Sequence, residues 1–267
     1  VKLIDEGNTI PFIARYRKEV TGNLSDEILR DLNDRLNYLR NLEKRKEEVI
    51  KIIDEQGKLT DELLVSIGTA KTLAEVEDLY RPYKQKKRTR AIIAKEKGLE
   101  PLAQIMIEQK ETKDILEIAA EYINEEKKVE TAEDAIAGAK DIIAEDISDN
   151  AKYRKYIKNA CYREALIETK ASKEEKSNYE MYYDFSEEIK KIPSHRILAI
   201  NRGEKEEFLK VKISKPEEKI LYYIEKDIIK GDTQFTEILK DTIADSFKRL
   251  IEPSIEREIR SDLTEKA

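Results

Sequence analysis

The chain has few of the residues that break, cross-link or anchor a fold. Its 267 residues include one cysteine, eight glycines, six prolines and no tryptophan. A single cysteine excludes an internal disulfide and suits a reducing compartment. So few glycines and prolines cannot supply the many turns of an all-β fold. No apolar run approaches the ~20 residues of a membrane span, and no signal-peptide core occurs near the start. We therefore expect a soluble, cytoplasmic protein without a membrane partner.

The residues that usually carry catalysis are equally scarce. His195 is the only histidine, so neither a pair of histidine metal ligands nor a conventional Cys-His arrangement can be assembled. Its position beside Ser194 at a helix start is explained by surface exposure or hydrogen bonding. Cys161 lies in a helical segment and reads as a small buried hydrophobic residue. Because no glycine-rich phosphate loop occurs either, we predict no enzyme, no catalytic residue, no metal, no cofactor and no small-molecule substrate.

Charge, by contrast, is abundant. Charged residues make up 40% of the chain, against a usual share of about a quarter. The 57 acidic and 51 basic side chains recur at helical spacing rather than in long blocks of one sign, which indicates charged helices rather than disorder. We predict an all-α, multi-helix scaffold with helix-turn-helix-like corners and at most one small β element.

The longest predicted helix begins at Ser25 and runs to about Gln56. At ~1.5 Å per residue it would be roughly 45 Å long, well above the usual mean of ~11–12 residues. Its apolar residues recur three and four positions apart, as in an amphipathic helix: Ile28, Leu29, Leu32, Leu36, Leu39 and Leu42, then Val49, Ile50 and Ile53. Such a rod packs lengthwise on its neighbours or holds one part of the protein away from another.

Several shorter elements follow from local signals. Thr72–Glu75 predicts a capping box, and Thr131–Asp134 is a second cap signature. Apolar periodicity predicts a helix over 150–168, and residues 170–178 read as a polar, mobile linker. Residues 208–213 alternate apolar and charged side chains, the signal of a strand. Its pairing partner is not evident, and residues outside this chain are one candidate.

The most unusual stretch is an acid-free basic run in an acidic chain. Six of the ten residues from Arg81 to Arg90 are basic, whereas the formal net charge of the chain is −6. The six are Arg81, Lys84, Lys86, Lys87, Arg88 and Arg90. They would form a phosphate-attracting surface, with Tyr80 and Tyr83 nearby as stacking faces. A solvated turn is the alternative interpretation of the same residues.

The residues after this run resemble a helix-turn-helix corner. Gly98 permits a tight turn between two short helices, and the second would lie in a nucleic-acid groove. However, Glu100, Gln104 and Glu108 on that second helix offer few donors for phosphates. A packing corner inside a helical scaffold explains the same spacing, so both readings stay open.

A second, smaller basic cluster lies near the start of the chain. It consists of Arg15, Arg17 and Lys18. Salt bridges to neighbouring acidic helices would account for these residues equally well.

Four ordered segments resemble the bacterial Tex proteins, the transcription accessory family. The first is residues 5–22, DEGNTIPFIARYRKEVTG, which resembles the N-terminal signature of that family. The others are residues 77–84, EDLYRPYK; residues 98–103, GLEPLA; and residues 192–196, IPSHR, with Arg202-Gly203. The matches are spread across most of the chain and are therefore specific.

The resemblance implies a multidomain protein, related in architecture to the eukaryotic elongation factor of the Spt family. In such proteins a helical N-terminal region with helix-turn-helix-like segments precedes a nuclease-like domain, helix-hairpin-helix elements and a C-terminal oligonucleotide-binding barrel. The family is tied to transcription and binds nucleic acid, RNA or DNA, chiefly through that barrel. Residues 1–184 would form the N-terminal helical region. Residues 185–267 would begin the central helical region that leads to a nuclease-like domain not included in this chain.

Two functional hypotheses follow. In the first, the chain is a non-enzymatic scaffold of a nucleic-acid-binding transcription accessory protein, and the basic run 81–90 adds an auxiliary phosphate contact. In the second, its charged helices dock onto the transcription machinery without touching nucleic acid. Because the chain begins within an apolar-periodic run at Val1, we expect it to be part of a longer protein.

Overall fold

The computed structural model describes residues 1–85, 87–173 and 175–267. Its contacts divide the chain into a first unit, Val1–Tyr83, and a second unit, Lys84–Ala267. The predicted domain division after Asp184 stays a prediction.

The first unit is helical. Its helices are α1 (Lys2–Asp5), α2 (Ile10–Tyr16), α3 (Lys18–Thr21), α4 (Asp26–Glu55), α5 (Asp61–Thr69) and α6 (Leu73–Tyr80), followed by a 3-10 turn at Arg81–Tyr83. The long predicted helix is confirmed as the 30-residue α4, capped by the Ser25 hydroxyl, which accepts a hydrogen bond from the backbone N–H of Ile28. Helices α1 and α2 pack on its N-terminal half around Leu3, Ile13 and Leu29, and α5 and α6 pack around Leu42, Val49 and Ile53.

One of the two predicted cap signatures forms only in part. The Thr72 hydroxyl accepts from the backbone N–H of Glu75 at 3.2 Å, but the Glu75 carboxylate accepts from Lys71 at 2.7 Å rather than from Thr72. At Thr131 both reciprocal bonds with Asp134 are present.

The second unit combines helices with one small sheet. Its helices are α7 (Arg90–Glu96), α8 (Glu100–Glu108), α9 (Ile115–Ala120), α10 (Ala132–Asp149), α11 (Ala151–Glu164), α12 (Ser194–Lys205), α13 (Glu217–Ile228), α14 (Thr236–Asp245) and α15 (Glu252–Lys266). A π-helical segment, Ser246–Ile251, joins α14 to α15. The mainly helical fold class is thus confirmed.

The predicted strand has its partners within the chain. Strands β1 (Leu166–Ala171), β2 (Asp184–Glu188) and β3 (Leu209–Ser214) form an antiparallel sheet in the order β2–β1–β3. The suggestion that residues outside this chain supply the partner is therefore wrong. The helix predicted over 150–168 forms as α11, but it ends at Glu164 and the chain then enters the central strand. Residues 170 and 171 belong to β1 and not to the predicted linker.

The sheet has one buried face and one charged face. Thr169 on β1 pairs with Val211 on β3, and the buried Ile167 pairs with the buried Ile213. The opposite face carries charge, since Lys170 pairs with Lys210 on one side and Asp184 on the other. This alternation is typical of a sheet packed on helices through a single face.

Buried cations tie the C-terminal helix to the rest of the second unit. The fully buried Arg154 of α11 donates hydrogen bonds to Ser254 and Glu258 of α15. After β3, the Lys215 ammonium lies 2.5 Å from Glu256 and 3.2 Å from Glu252, and its side chain is 2% exposed. Removing one partner of such a pair would leave a buried charge uncompensated, which is strongly destabilising.

Helix α10 organises the second unit and requires a glycine at its contact with the corner before α8. It packs against α7, α8, α9, α11 and α14. A Cβ atom at Gly138 of α10 would lie 2.3 Å from Cδ1 of Leu99, whose side chain is 1% exposed. Leu99 cannot turn out to solvent without emptying its site in the core, so the missing side chain of Gly138 provides the space for it.

We predict that Gly138→Ala destabilises the second unit by up to about 2 kcal/mol. Overpacking a core costs about 1–3 kcal/mol, and the better helix propensity of alanine returns about 1 kcal/mol. The matched control is Gly68→Ala in α5, where nothing lies within 4 Å of the added Cβ; it should stabilise by up to about 1 kcal/mol. Calorimetric unfolding of both variants would contradict this packing if Gly138→Ala raised the unfolding temperature as Gly68→Ala does.

Candidate nucleic-acid interface

The basic run forms an exposed turn that leads into α7. Lys84, Lys87, Arg88 and Arg90 are all exposed, and Lys86 lies outside the described residues. Thr89 caps α7 by accepting a hydrogen bond from the backbone N–H of Ile92 at 3.1 Å. The turn is thus fixed at its C-terminal end by a helix cap, while its basic side chains reach solvent.

The cations of this turn differ in how strongly they are engaged. Within the described residues, Lys84 and Lys87 form no ion pair, whereas Arg88 lies 2.8 Å from Glu96 with both side chains exposed. Arg90 acts on Asp245: hydrogen bonds from Arg249 lower the pKa of the Asp245 carboxyl most, and the Arg90 charge lowers it further. Lys84 and Lys87 are therefore the cations most available to an incoming phosphate.

Arg81 and the two tyrosines belong to the first unit and are less available. Arg81 is half-buried in the 3-10 turn that ends this unit. Tyr80, 8% exposed, lies in the core under α4, where the Arg45 guanidinium stacks over its ring at 5.4 Å. Tyr83 packs against the same core. Tyr80 is therefore not the stacking face that the sequence suggests, because its ring is already covered.

The corner between α7 and α8 has the geometry of a packed turn. Gly98 has a φ of +82°, the left-handed conformation that glycine adopts without strain. The next residue, Leu99, is buried, as are Leu102 and Met106 of α8. The exposed side of α8 carries Glu100, Gln104 and Glu108.

The charge on this exposed side opposes groove binding. A hydrogen bond from Gln104 lowers the pKa of Glu108, and the charge of Lys110 lowers it further, so that this carboxyl is ionised. An ionised carboxylate on the solvent face of α8 repels phosphate. These contacts favour the packing corner over the groove-reading helix.

The second basic cluster lies on α2 and α3. Arg15 and Lys18 are exposed and form no ion pair within the described part of the chain, and Arg17 lies 3.2 Å from Glu19. The sequence allows salt bridges from this cluster to neighbouring acidic helices. Within the described residues, the cluster forms one ion pair, between Arg17 and Glu19 two positions away. Such a pair contributes little stability.

The structure places two aromatic side chains beside this cluster, which the sequence reading did not single out. Phe12 and Tyr16 are 42% and 62% exposed, and their ring centroids are 5.3 Å apart. The signal was present in the sequence, because two aromatic residues four positions apart share one helix face. The buried Ile13 lies on a different face of the same helix.

The remaining motif segments are occupied by internal contacts. Arg45 of α4 donates to Glu77 at 2.6 Å, and Arg196 donates to Glu187 of β2 at 2.7 Å. Gly203 allows α12 to pack closely on β3, because a Cβ atom at this position would lie 2.7 Å from Cδ1 of Leu209. These residues hold the fold together.

The candidate catalytic residues lie apart from any assembled site. His195 is exposed on the first turn of α12, and Cys161 is fully buried in α11. Burial raises the pKa of the Cys161 thiol to about 11, with Lys215 lowering it less strongly. Among the residues that the structure describes, no group of His, Cys, Asp or Glu side chains could hold a metal ion.

Residues 110–267 match the family described as Tex central region-like, and residues 1–54 match the Tex-like protein N-terminal domain. The fold is that of a helical, charge-rich protein with an exposed basic turn. The chain belongs to the Tex family, which confirms the resemblance drawn from its motifs.

Individual relatives agree with this assignment. Protein YdcI of Bacillus subtilis (strain 168) is 52% identical over 272 residues, covering 100% of this chain and 38% of that protein. The transcriptional accessory protein Tex of Neisseria gonorrhoeae is 42% identical over 214 residues, 79% of this chain and 28% of that protein. S1 RNA-binding domain-containing protein 1 of Homo sapiens is 33% identical over 285 residues, 100% of this chain and 28% of that protein. The chain thus spans well under half the length of these relatives.

Across residues 1–85, 87–173 and 175–267, no helix is both long enough and apolar enough to cross a bilayer.

The buried thiol gives a direct chemical prediction. The reactive form of cysteine is the thiolate, and a pKa of about 11 leaves almost none at pH 8. We expect iodoacetamide to label Cys161 slowly in the folded chain and rapidly in urea. The raised pKa means that the folded state holds the thiol proton more tightly than the unfolded state does. The stability of the fold therefore receives this contribution in full below about pH 9 and loses it as the pH rises toward 11. Labelling of the folded chain at pH 8 as fast as in urea would contradict this burial.

Proposed function

We propose that this chain is a non-enzymatic helical scaffold of a Tex-type transcription accessory protein and that its exposed basic turn makes an auxiliary phosphate contact. The observation that supports this most strongly is the exposed, acid-free turn of Lys84, Lys87, Arg88 and Arg90 in an acidic chain. The names of the relatives point the same way, since one is a transcriptional accessory protein and another contains an S1 RNA-binding domain.

The expected contact is to the nucleic-acid backbone and not to base edges. Lysine and arginine bind phosphate oxygens without sequence preference, and they release condensed counterions when they do so. The predicted set of six also includes Arg81 and Lys86. Arg81 is half-buried and Lys86 lies outside the described residues, so the proposal does not rest on either. Because the chain is acidic overall, its own affinity for nucleic acid should be weak and steeply dependent on salt.

A protein-docking role remains the second candidate. It is favoured by the acidic side of α8, which carries Glu100, Gln104 and Glu108 and suits a protein surface better than a phosphate backbone. Co-purification after nuclease treatment separates the two roles. Transcription proteins retained on the chain without nucleic acid favour docking, whereas their release favours a nucleic-acid bridge.

We predict that changing Lys84, Lys87, Arg88 and Arg90 together to Gln lowers the salt dependence of binding. For four phosphate contacts, the slope of log K against log salt should become shallower by about 3.6 on duplex DNA and about 2.8 on single strands. The measurement is fluorescence anisotropy of a labelled oligonucleotide at several salt concentrations, with the 267-residue chain.

The control carries the same change in net charge at another exposed site. Changing Lys110, Lys113, Lys226 and Lys230 to Gln removes four cations from the second unit outside the basic turn. Equal slopes for the two variants, or no change in either, would rule out a specific contact at the turn.

A further inference from the structure

Helix α2 presents an aromatic pair to solvent. Ile13 anchors the helix in the core at 1% exposure, and Phe12 and Tyr16 lie on the outer side at 42% and 62% exposure. Their rings are 5.3 Å apart and tilted by 45°. Neither ring is enclosed by the fold, so both keep aromatic surface that a ligand can cover.

The charges around this pair are positive. Residues 9–18 contain no acidic side chain. Arg15 and Lys18 are exposed without an ion pair in the described residues, and only Arg17 is engaged, by Glu19. Exposed cations therefore lie on the same short segment as the two exposed rings.

We propose that Phe12 and Tyr16 form a stacking platform for unpaired bases, with Arg15 and Lys18 binding the adjacent phosphates of a single strand. Aromatic side chains beside a basic surface are the combination that binds single-stranded nucleic acid without sequence preference. A duplex offers only its phosphates to such a surface, because its bases are already stacked on one another. The platform should therefore bind a single strand more tightly than a duplex.

This surface differs from the basic turn in ligand chemistry. The turn has cations, but Tyr80 is buried and Tyr83 packs against the core of the first unit. The turn can therefore bind phosphates of a single strand or a duplex alike. The other large exposed side chains of the first unit are mainly aliphatic, for example Ile28, Leu64 and Val65, and offer no aromatic face. Only α2, within the described part of this unit, combines an exposed aromatic pair with unpaired cations.

The test measures binding of a labelled oligothymidylate of about 12 nucleotides and of a matched duplex. Phe12→Leu with Tyr16→Leu keeps apolar surface but removes both aromatic faces. We expect single-strand affinity to fall by at least about fivefold, because stacking contributes about 1–3 kcal/mol per base, while duplex affinity stays unchanged. Phe12→Tyr with Tyr16→Phe keeps both rings and should retain the affinity of the parent chain.

Two controls address surface effects. Tyr222→Leu removes a ring of similar exposure, 66%, on α13, and should leave binding unaltered. Arg15→Gln with Lys18→Gln should make the single-strand salt slope shallower by about 1.4, whereas the charge-matched Lys44→Gln with Lys58→Gln should not.

Three results would overturn the proposal. The first is unchanged single-strand affinity in the Phe12 and Tyr16 double leucine variant. The second is an equal loss on single strand and duplex, which would mean that the substitutions act on the fold. The third is binding of polyglutamate that depends on both rings while oligothymidylate binding does not, since this would identify an acidic protein partner. None of these results depends on the basic turn, whose own variant is tested separately.

Discussion

The close approach of Leu99 to Gly138 is the contact on which the arrangement of the second unit depends. It fixes the corner after α7 against α10, the helix that α8, α9, α11 and α14 also contact. Because Gly98 turns the chain with a positive φ and Leu99 then enters the core, the C-terminal end of α7 is held in place. The basic turn precedes α7 and therefore leads directly into a helix that packs on α10.

The helices could be predicted from the sequence to the extent that their information is local. Side-chain caps at Ser25 and Thr131 and the apolar stripe of α4 are read within a few residues. Strand β1 could not be predicted in this way. Its conformation is set by pairing with β2 and β3, and β3 begins about forty residues later in the chain. A helix-like pattern that continues beyond Glu164 gives no sign of that long-range pairing.

The candidate surfaces divide along the same line. The order of the residues is enough to locate the cations, because a run without acidic residues stands out in an acidic chain. Exposure depends on packing, and here the sequence misled: Tyr80 is covered by α4 and Arg45, whereas Phe12 and Tyr16 are open. Glu77 and Arg196 of the motif segments form internal ion pairs, with Arg45 and Glu187. Residues of one family motif can therefore be structural, whereas others, such as Phe12 and Tyr16, are exposed.

A lysine-modification footprint would show most directly whether nucleic acid contacts the basic turn and the aromatic surface of α2. The chain would be acetylated briefly with and without a saturating single-stranded oligonucleotide, and each lysine read by mass spectrometry. We expect protection at Lys18, Lys84 and Lys87, with unchanged modification of the exposed Lys110 and Lys226. Protection spread evenly over all exposed lysines, or confined to Lys110 and Lys226, would contradict this expectation.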